Sequence, residues 1–136
     1  MNEPAEISPE ATLQALIEKW QSAVEARDLE RLMSLIADDC VFLAPSAPPV
    51  RGKEAVEGMF RSLWKSLQEH KQEFTIEEAW ISGDCLIGWG VDSATLLPAG
   101  STESLRYAGH GVMILKRAPS GEWKFARGIN NMIRIP

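Results

Sequence analysis

The stretch from Trp20 to Gly52, WQSAVEARDLERLMSLIADDCVFLAPSAPPVRG, constrains the fold more than any other part of the chain. It reads as the end of one helix, a short second helix, a buried strand and a stiff loop. Upstream, Ser8 supplies an N-cap, Pro9 fits the first helical position and Glu10 places a negative charge against the helix dipole. The helix is expected to run to about Ala26, because Leu13, Leu16, Ile17, Trp20 and Val24 recur on one face. Asp28 then caps a second helix carrying Leu29, Leu32, Met33 and Ile36, until Asp38 and Asp39 end it in a turn. Cys40 to Ala44 is an apolar run too short for a stable helix, so a buried strand is expected before Pro45, Pro48 and Pro49 stiffen the loop.

From Lys53 to Glu69 helical spacing returns through Val56, Phe60, Leu63, Trp64 and Leu67. Beyond Lys71 the period changes to alternation through Phe74, Ile76 and Trp80, and Ser82, Gly83 and Asp84 supply turn chemistry. Strands are then expected from Cys85 towards Leu97, from Leu105 to Lys116 and from Trp123 to Ile133, with Pro98, Gly100, Pro119 and Gly121 at the turns. Helices first and strands last predict an α+β domain in which three N-terminal helices pack on a curved, mostly antiparallel sheet. No internal repeat or linker divides it. Residues 1–136 therefore read as one domain with residues 1–8 as a flexible tail.

At 136 residues and 45% hydrophobic content, with five tryptophans, the chain has ample material for one core. Its net charge of −5 opposes the phosphate backbone, and no basic patch marks a nucleic-acid surface. Residues Met1 to Ser8 lack the basic start and apolar run of a secretory signal, and no segment approaches the roughly 20 apolar residues that span a bilayer. A cytoplasmic protein without membrane contact is the expectation. Cys40 and Cys85 read as reduced core residues rather than a disulfide. The two histidines and two cysteines lie at irregular spacings that form no metal site, Asp38 with Asp39 makes no metal cage, and no phosphate-binding glycine motif or nucleophilic serine signature points to a cofactor.

Two further phrases accompany the front-half pattern: Val50, Arg51, Gly52, Lys53, Glu54 opening the third helix, and Gly121, Glu122, Trp123, Lys124 opening the last strand. Together they resemble the SnoaL-like and ketosteroid isomerase-like branch of the nuclear transport factor 2-like superfamily, over about Leu13 to Asn131. The resemblance implies a cone with a pocket between its concave sheet and its helices, and a homodimer formed through the outer face of the sheet. It also implies which positions line the pocket. Cys40, Phe42 and Ala44 would point inward from the first strand, and Ile87, Trp89, Val91 and Ser93 from the long middle strand, leaving Gly88, Gly90 and Asp92 outside. Gly111, Met113, Ala126, Gly128 and Asn130 would complete the wall, while a slip of one residue would turn His110 inward.

An isomerase of this kind needs a base beside a carbonyl and donors for the enolate oxygen. The resemblance places the base at Ala44, a phenolic donor at Trp20 and a further acid at Gly128, so this sequence departs at each. His110 remains the candidate catalytic residue, since imidazole exchanges a proton near neutral pH, although a histidine between two glycines also suits a surface or an interface. His70 reads as part of a solvated turn beside Glu69 and Lys71. The ligand-binding candidates are Trp20, Phe42, Ala44, Trp89, Val91, Ser93, Met113, Gly128 and Asn130, with Tyr107 a weaker source of a hydrogen bond. Two functions follow from this reading. One is a cavity for a small aromatic, polyketide or steroid-like molecule, with isomerisation or cyclisation as the reaction that the resemblance implies. The other is a noncatalytic dimeric association module in which the outer sheet carries the function.

Overall fold

The computed structural model describes residues 7–136. Three helices, α1 (Pro9–Ala26), α2 (Leu29–Ser34) and α3 (Lys53–Lys65), cover one face of a sheet. Its strands are β1 (Ile36–Leu43), β2 (Val50–Arg51), β3 (Leu67–Ser82), β4 (Cys85–Pro98), β5 (Leu105–Arg117), β6 (Trp123–Asn130) and β7 (Ile133–Ile135). The order is β2-β1-β6-β5-β4-β3, with β7 added beside β5. Among the described residues only β1 and β6 run parallel, so the curved sheet is mostly antiparallel. The expected tail at residues 1–8 lies outside the described residues as far as residue 6.

The helix starts follow from their caps. Ser8 Oγ accepts from the Ala11 N–H at 3.1 Å, and Asp28 Oδ1 accepts from the Arg31 N–H at 3.1 Å. Two elements end earlier than the apolar spacing predicts. Ile36, Asp38 and Asp39 belong to β1 rather than to the end of α2, and Leu67 opens β3 rather than closing α3. In both places a residue on the helical stripe is also the first inward residue of the following strand, so periodicity cannot separate them. His70 is consequently a buried strand residue, 5% exposed, and not part of a solvated turn. The last predicted strand is broken at Asn131 and Met132, where the Asn131 side chain accepts from the His110 N–H at 2.7 Å.

Two apolar clusters fill the interior. One joins α1, α2, α3 and β1 through Val24, Leu32, Ile36, Val56, Phe60 and Trp64. The other joins α1 to the long strands through Leu13, Ile17, Phe74, Leu86, Leu115 and Phe125. Cys40 is buried in the first, and both cysteines are free thiols.

The expected parity of β4 is reversed. Leu86, Gly88, Gly90, Asp92 and Ala94 are buried, whereas Val91 is 42% exposed and Ile87, Trp89 and Ser93 lie on its side of the strand. The reason is the close passage of α1 at Gly88 and of the β3 backbone at Gly90. A Cβ built on Gly88 would collide with Leu13 Cδ2, and one built on Gly90 would meet the backbone of Thr75, where β3 carries an irregularity between Ile76 and Glu78. Large side chains have no room under the helix and face outward.

Gly88→Ala is expected to destabilise the protein by roughly 1–3 kcal/mol through overpacking. Most of that loss should vanish when Leu13→Ala is already present, and urea midpoints of the four-member cycle measure the coupling. Equal losses in both backgrounds would mean that Leu13 does not set the requirement.

Candidate functional site

Between α1, α3 and the concave sheet lies a cavity of about 240 Å³. Its apolar wall comes from Ile17, Phe42, Phe60, Phe74, Met113 and Phe125, while Leu43 at the end of β1 and Ala44, Ala47 and Pro48 in the loop after it border the opening. The proline-rich loop is thus one rim of the opening. Gly128 makes room rather than contact, because a Cβ there would lie 2.7 Å from the Phe42 ring.

Trp20 reaches the cavity from α1 and holds its inner end. Its ring lies 5.0 Å from Phe125, 6.0 Å from Phe42 and 6.1 Å from Phe60, between centroids. These tilted and edge-on arrangements suit aromatic quadrupoles. Its indole N–H donates to Gln72 Oε1 at 2.8 Å, so a protein acceptor occupies the donor at that position.

Asp92 is the buried carboxyl of the wall, 7% exposed. It stands beside Phe74 in the β3–β4 register, and its Oδ2 lies 3.1 Å from the Cβ position of Gly111 on β5. Desolvation by these apolar neighbours pushes its pKa from 3.8 to about 6, against hydrogen bonding from the Ser93 backbone, which lowers it. A carboxyl so placed exchanges a proton close to neutral pH. His70 is buried differently. Its Nδ1 accepts from the Trp64 indole N–H at 3.0 Å, its ring stacks on Phe60, and burial lowers its pKa from 6.5 to about 4.

Of the residues expected at the site, Trp20, Phe42, Ala44, Met113, Gly128 and Asn130 border this cavity together. Trp89, Val91 and Ser93 do not, because the reversed parity of β4 places them on the other face. His110 pairs with Val91 on that outer face and is exposed, so it is not positioned to act in the cavity. Tyr107 pairs with Ala94 and does not border the cavity either. Asp92 and Gln72 were missed. The signal for Asp92 was present in its spacing: it shares parity with Gly88 and Gly90, and glycines within a strand mark the side where another element approaches. Among the described residues, no three His, Cys, Asp or Glu side chains cluster as a metal site, and no helix is long and apolar enough to cross a membrane.

Residues 17–123 match the family model of the SnoaL-like domain. The chain belongs to the SnoaL-like family. The same architecture recurs in a conserved protein from Planctomyces limnophilus, 27% identical with a TM-score of 0.85 over 93% of this chain and 97% of that one. A ketosteroid isomerase-like protein from Erwinia carotovora atroseptica is 20% identical, with a TM-score of 0.77 over 93% of this SnoaL-like chain and 96% of its own. A nuclear transport factor 2-like superfamily protein from Salmonella enterica serovar Typhimurium superposes with a TM-score of 0.77 at 10% identity, over 94% and 92% of the two chains. At the last two identities the likeness is one of fold. No functionally curated protein matches the chain.

Asp92 and His70 make opposite demands on the fold as pH changes. Folded Asp92 keeps a proton that the unfolded chain releases between pH 3.8 and about 6, so its contribution to stability falls as pH rises through that window. Unfolded His70 takes a proton below 6.5 that the folded protein refuses until about 4, so its contribution is lost as pH falls. Each effect is about 3 kcal/mol by linkage, and over their common range they largely cancel. In Asp92→Asn only the His70 slope remains, and urea midpoints should show stability climbing with pH far more steeply than in the native protein. Parallel profiles would show that Asp92 titrates like an exposed carboxylate.

Proposed function

We propose that the protein binds a compact, mainly apolar molecule of one or two rings in the cone, with Asp92 facing its polar group. The observation that supports this most is a single buried carboxyl set in a mainly aromatic and aliphatic wall, to which Gln21, Gln72, Glu73 and Asn130 add the other polar groups. Small-molecule sites commonly combine such walls with a few directional polar groups. A cavity of about 240 Å³ is at the small end for organic ligands, which favours an aromatic or small cyclic compound over a four-ring steroid. A carboxyl titrating near 6 is also suited to moving a proton on the bound molecule, so isomerisation or cyclisation is the reaction class proposed, with Asp92 as its acid or base. The departures at Ala44 and Gly128 then concern where the acid sits, not whether the cavity has one.

One- and two-ring aromatic compounds are expected to raise the Tm of the native protein, because a ligand that binds only the folded state stabilises it by mass action. Ala44→Trp at the exposed rim should abolish that shift while leaving the ligand-free Tm nearly unchanged. A panel without any shift would sink the cavity reading and favour the association module.

A homodimer through the outer sheet is proposed alongside. Trp89, Val112 and Ile129 lie side by side across β4, β5 and β6, with Val91 next along β4. Val91, Val112 and Ile129 are 42%, 41% and 50% exposed, an apolar sheet face that a second copy would cover. Val91→Asp, on the outer face and away from the cavity, should convert the dimer to a monomer in light scattering without removing the ligand-induced Tm shift. A native protein that is already monomeric at high concentration would refute the dimer.

A further inference from the structure

Three side-chain amides, Gln21, Gln72 and Asn130, border the cavity, and the protein has fixed the orientation of the last two. An indole N–H can only donate, so the group that Trp20 holds at 2.8 Å must be the oxygen of Gln72, and the Gln72 NH₂ is left on the other side of the amide. Among the described residues no protein acceptor takes that NH₂. Asn130 is fixed in the same sense, because its Oδ1 accepts from the Met132 N–H at 3.0 Å. Both residues border the cavity, and they lie on either side of Asp92. Gln72 sits diagonally from it across β3 and β4, where Phe74 is the direct partner of Asp92. Asn130 is the β6 partner of Gly111, whose Cβ position is within 3.1 Å of the Asp92 carboxyl. The wall contains no Lys, Arg or His.

We infer that Gln72 is the specificity-determining donor of this cavity, held in place by Trp20 as a positioning residue, and that with Asn130 it selects an uncharged ligand bearing a carbonyl-type oxygen. This inference rests on the cavity reading and names the head group the cavity recognises. The physical reason is the pattern of satisfied and free atoms. The Gln72 and Asn130 oxygens are already occupied by N–H groups of the protein, so beside the buried carboxyl these two amides offer a ligand their N–H groups, with Gln21 and the exposed Glu73 as the remaining polar groups of the wall. An anion would meet the Asp92 carboxylate with no basic side chain to offset it. A hydrocarbon would bury the amide N–H groups without partners. A ligand oxygen satisfies them, and the Trp20 bond means that the Gln72 amide need not reorient to meet it.

Three bicyclic probes of nearly one shape separate the alternatives: tetralin without a head group, 1-tetralone with a ketone and 1-aminotetralin with an ammonium. Titration of the native protein should show 1-tetralone binding about fivefold or more tighter than tetralin, the effect of roughly one satisfied hydrogen bond. Gln72→Glu, titrated at a pH high enough to ionise its carboxyl, keeps an oxygen for the Trp20 N–H but removes the donor, so the ketone preference should fall to parity or reverse. Trp20→Phe keeps an aromatic ring and frees the amide, and should lower the tetralone-to-tetralin ratio by a smaller factor, a ratio that general destabilisation would not move. A ketone preference that survives Gln72→Glu would overturn the inference, as would tightest native binding by 1-aminotetralin, which would give selection to the Asp92 carboxylate. Tetralin binding with no ketone preference would refute the inference and leave the cavity reading standing. Binding of none of the three would refute both.

Discussion

Trp20 is the side chain on which the interior depends. It packs against both apolar clusters, the one built among the helices and β1 and the one beneath the long strands. Its ring meets aromatic partners from β1, α3 and β6, while its one polar atom meets β3. The cavity lies where these contacts stop. A smaller residue at this place would remove the wall shared by the two clusters, and it would leave Gln72 without the donor that fixes its amide. Stability and site geometry therefore meet in one residue.

The second constraint is the distance between α1 and the sheet. The helix can come close only because β4 presents glycine beneath Leu13, and that requirement fixes which side of the strand faces inward. Everything else on β4 follows by alternation. Asp92 must enter the cavity, and Trp89 and Val91 must leave it. The apolar outer face and the polar point within the cavity are thus two results of one packing decision.

This explains what the sequence could and could not reveal. The helix order, the proline loop and the mostly antiparallel run of long strands were legible from caps, turn residues and the change from helical to alternating period, whereas the parallel pairing of β1 with β6 was not. On β1, β5 and β6 the positions Phe42, Ala44, Gly111, Met113, Gly128 and Asn130 border the cavity as expected, whereas Cys40 and Ala126 are buried away from it. β4 failed because size misled: Ile87, Trp89 and Val91 look like interior residues, whereas the middle of this strand leaves no room for a side chain on its inner face at Gly88 and Gly90. Apolar character says that a side chain gains from burial, but only tertiary contact says which of two faces is covered. Helix ends failed for a related reason, because Ile36 and Leu67 serve two periods at once.

The two buried titratable residues show how a structural polar group differs from one available to a ligand. Both Asp92 and His70 disfavour their charged forms through burial, and both are costly near the ends of the pH range in which they titrate. Their polar partners separate them. His70 is supplied with a donor by Trp64 and a stacking surface by Phe60, so its neutral ring is used up in holding α3 to β3. Asp92 receives no such side-chain bond and opens on a space instead of a packed neighbour. A fold that can satisfy a buried histidine with a tryptophan six residues away could have replaced Asp92 with an apolar residue at a gain in stability near neutral pH. The retained cost is intelligible if the missing partner of Asp92 is a molecule in the cavity.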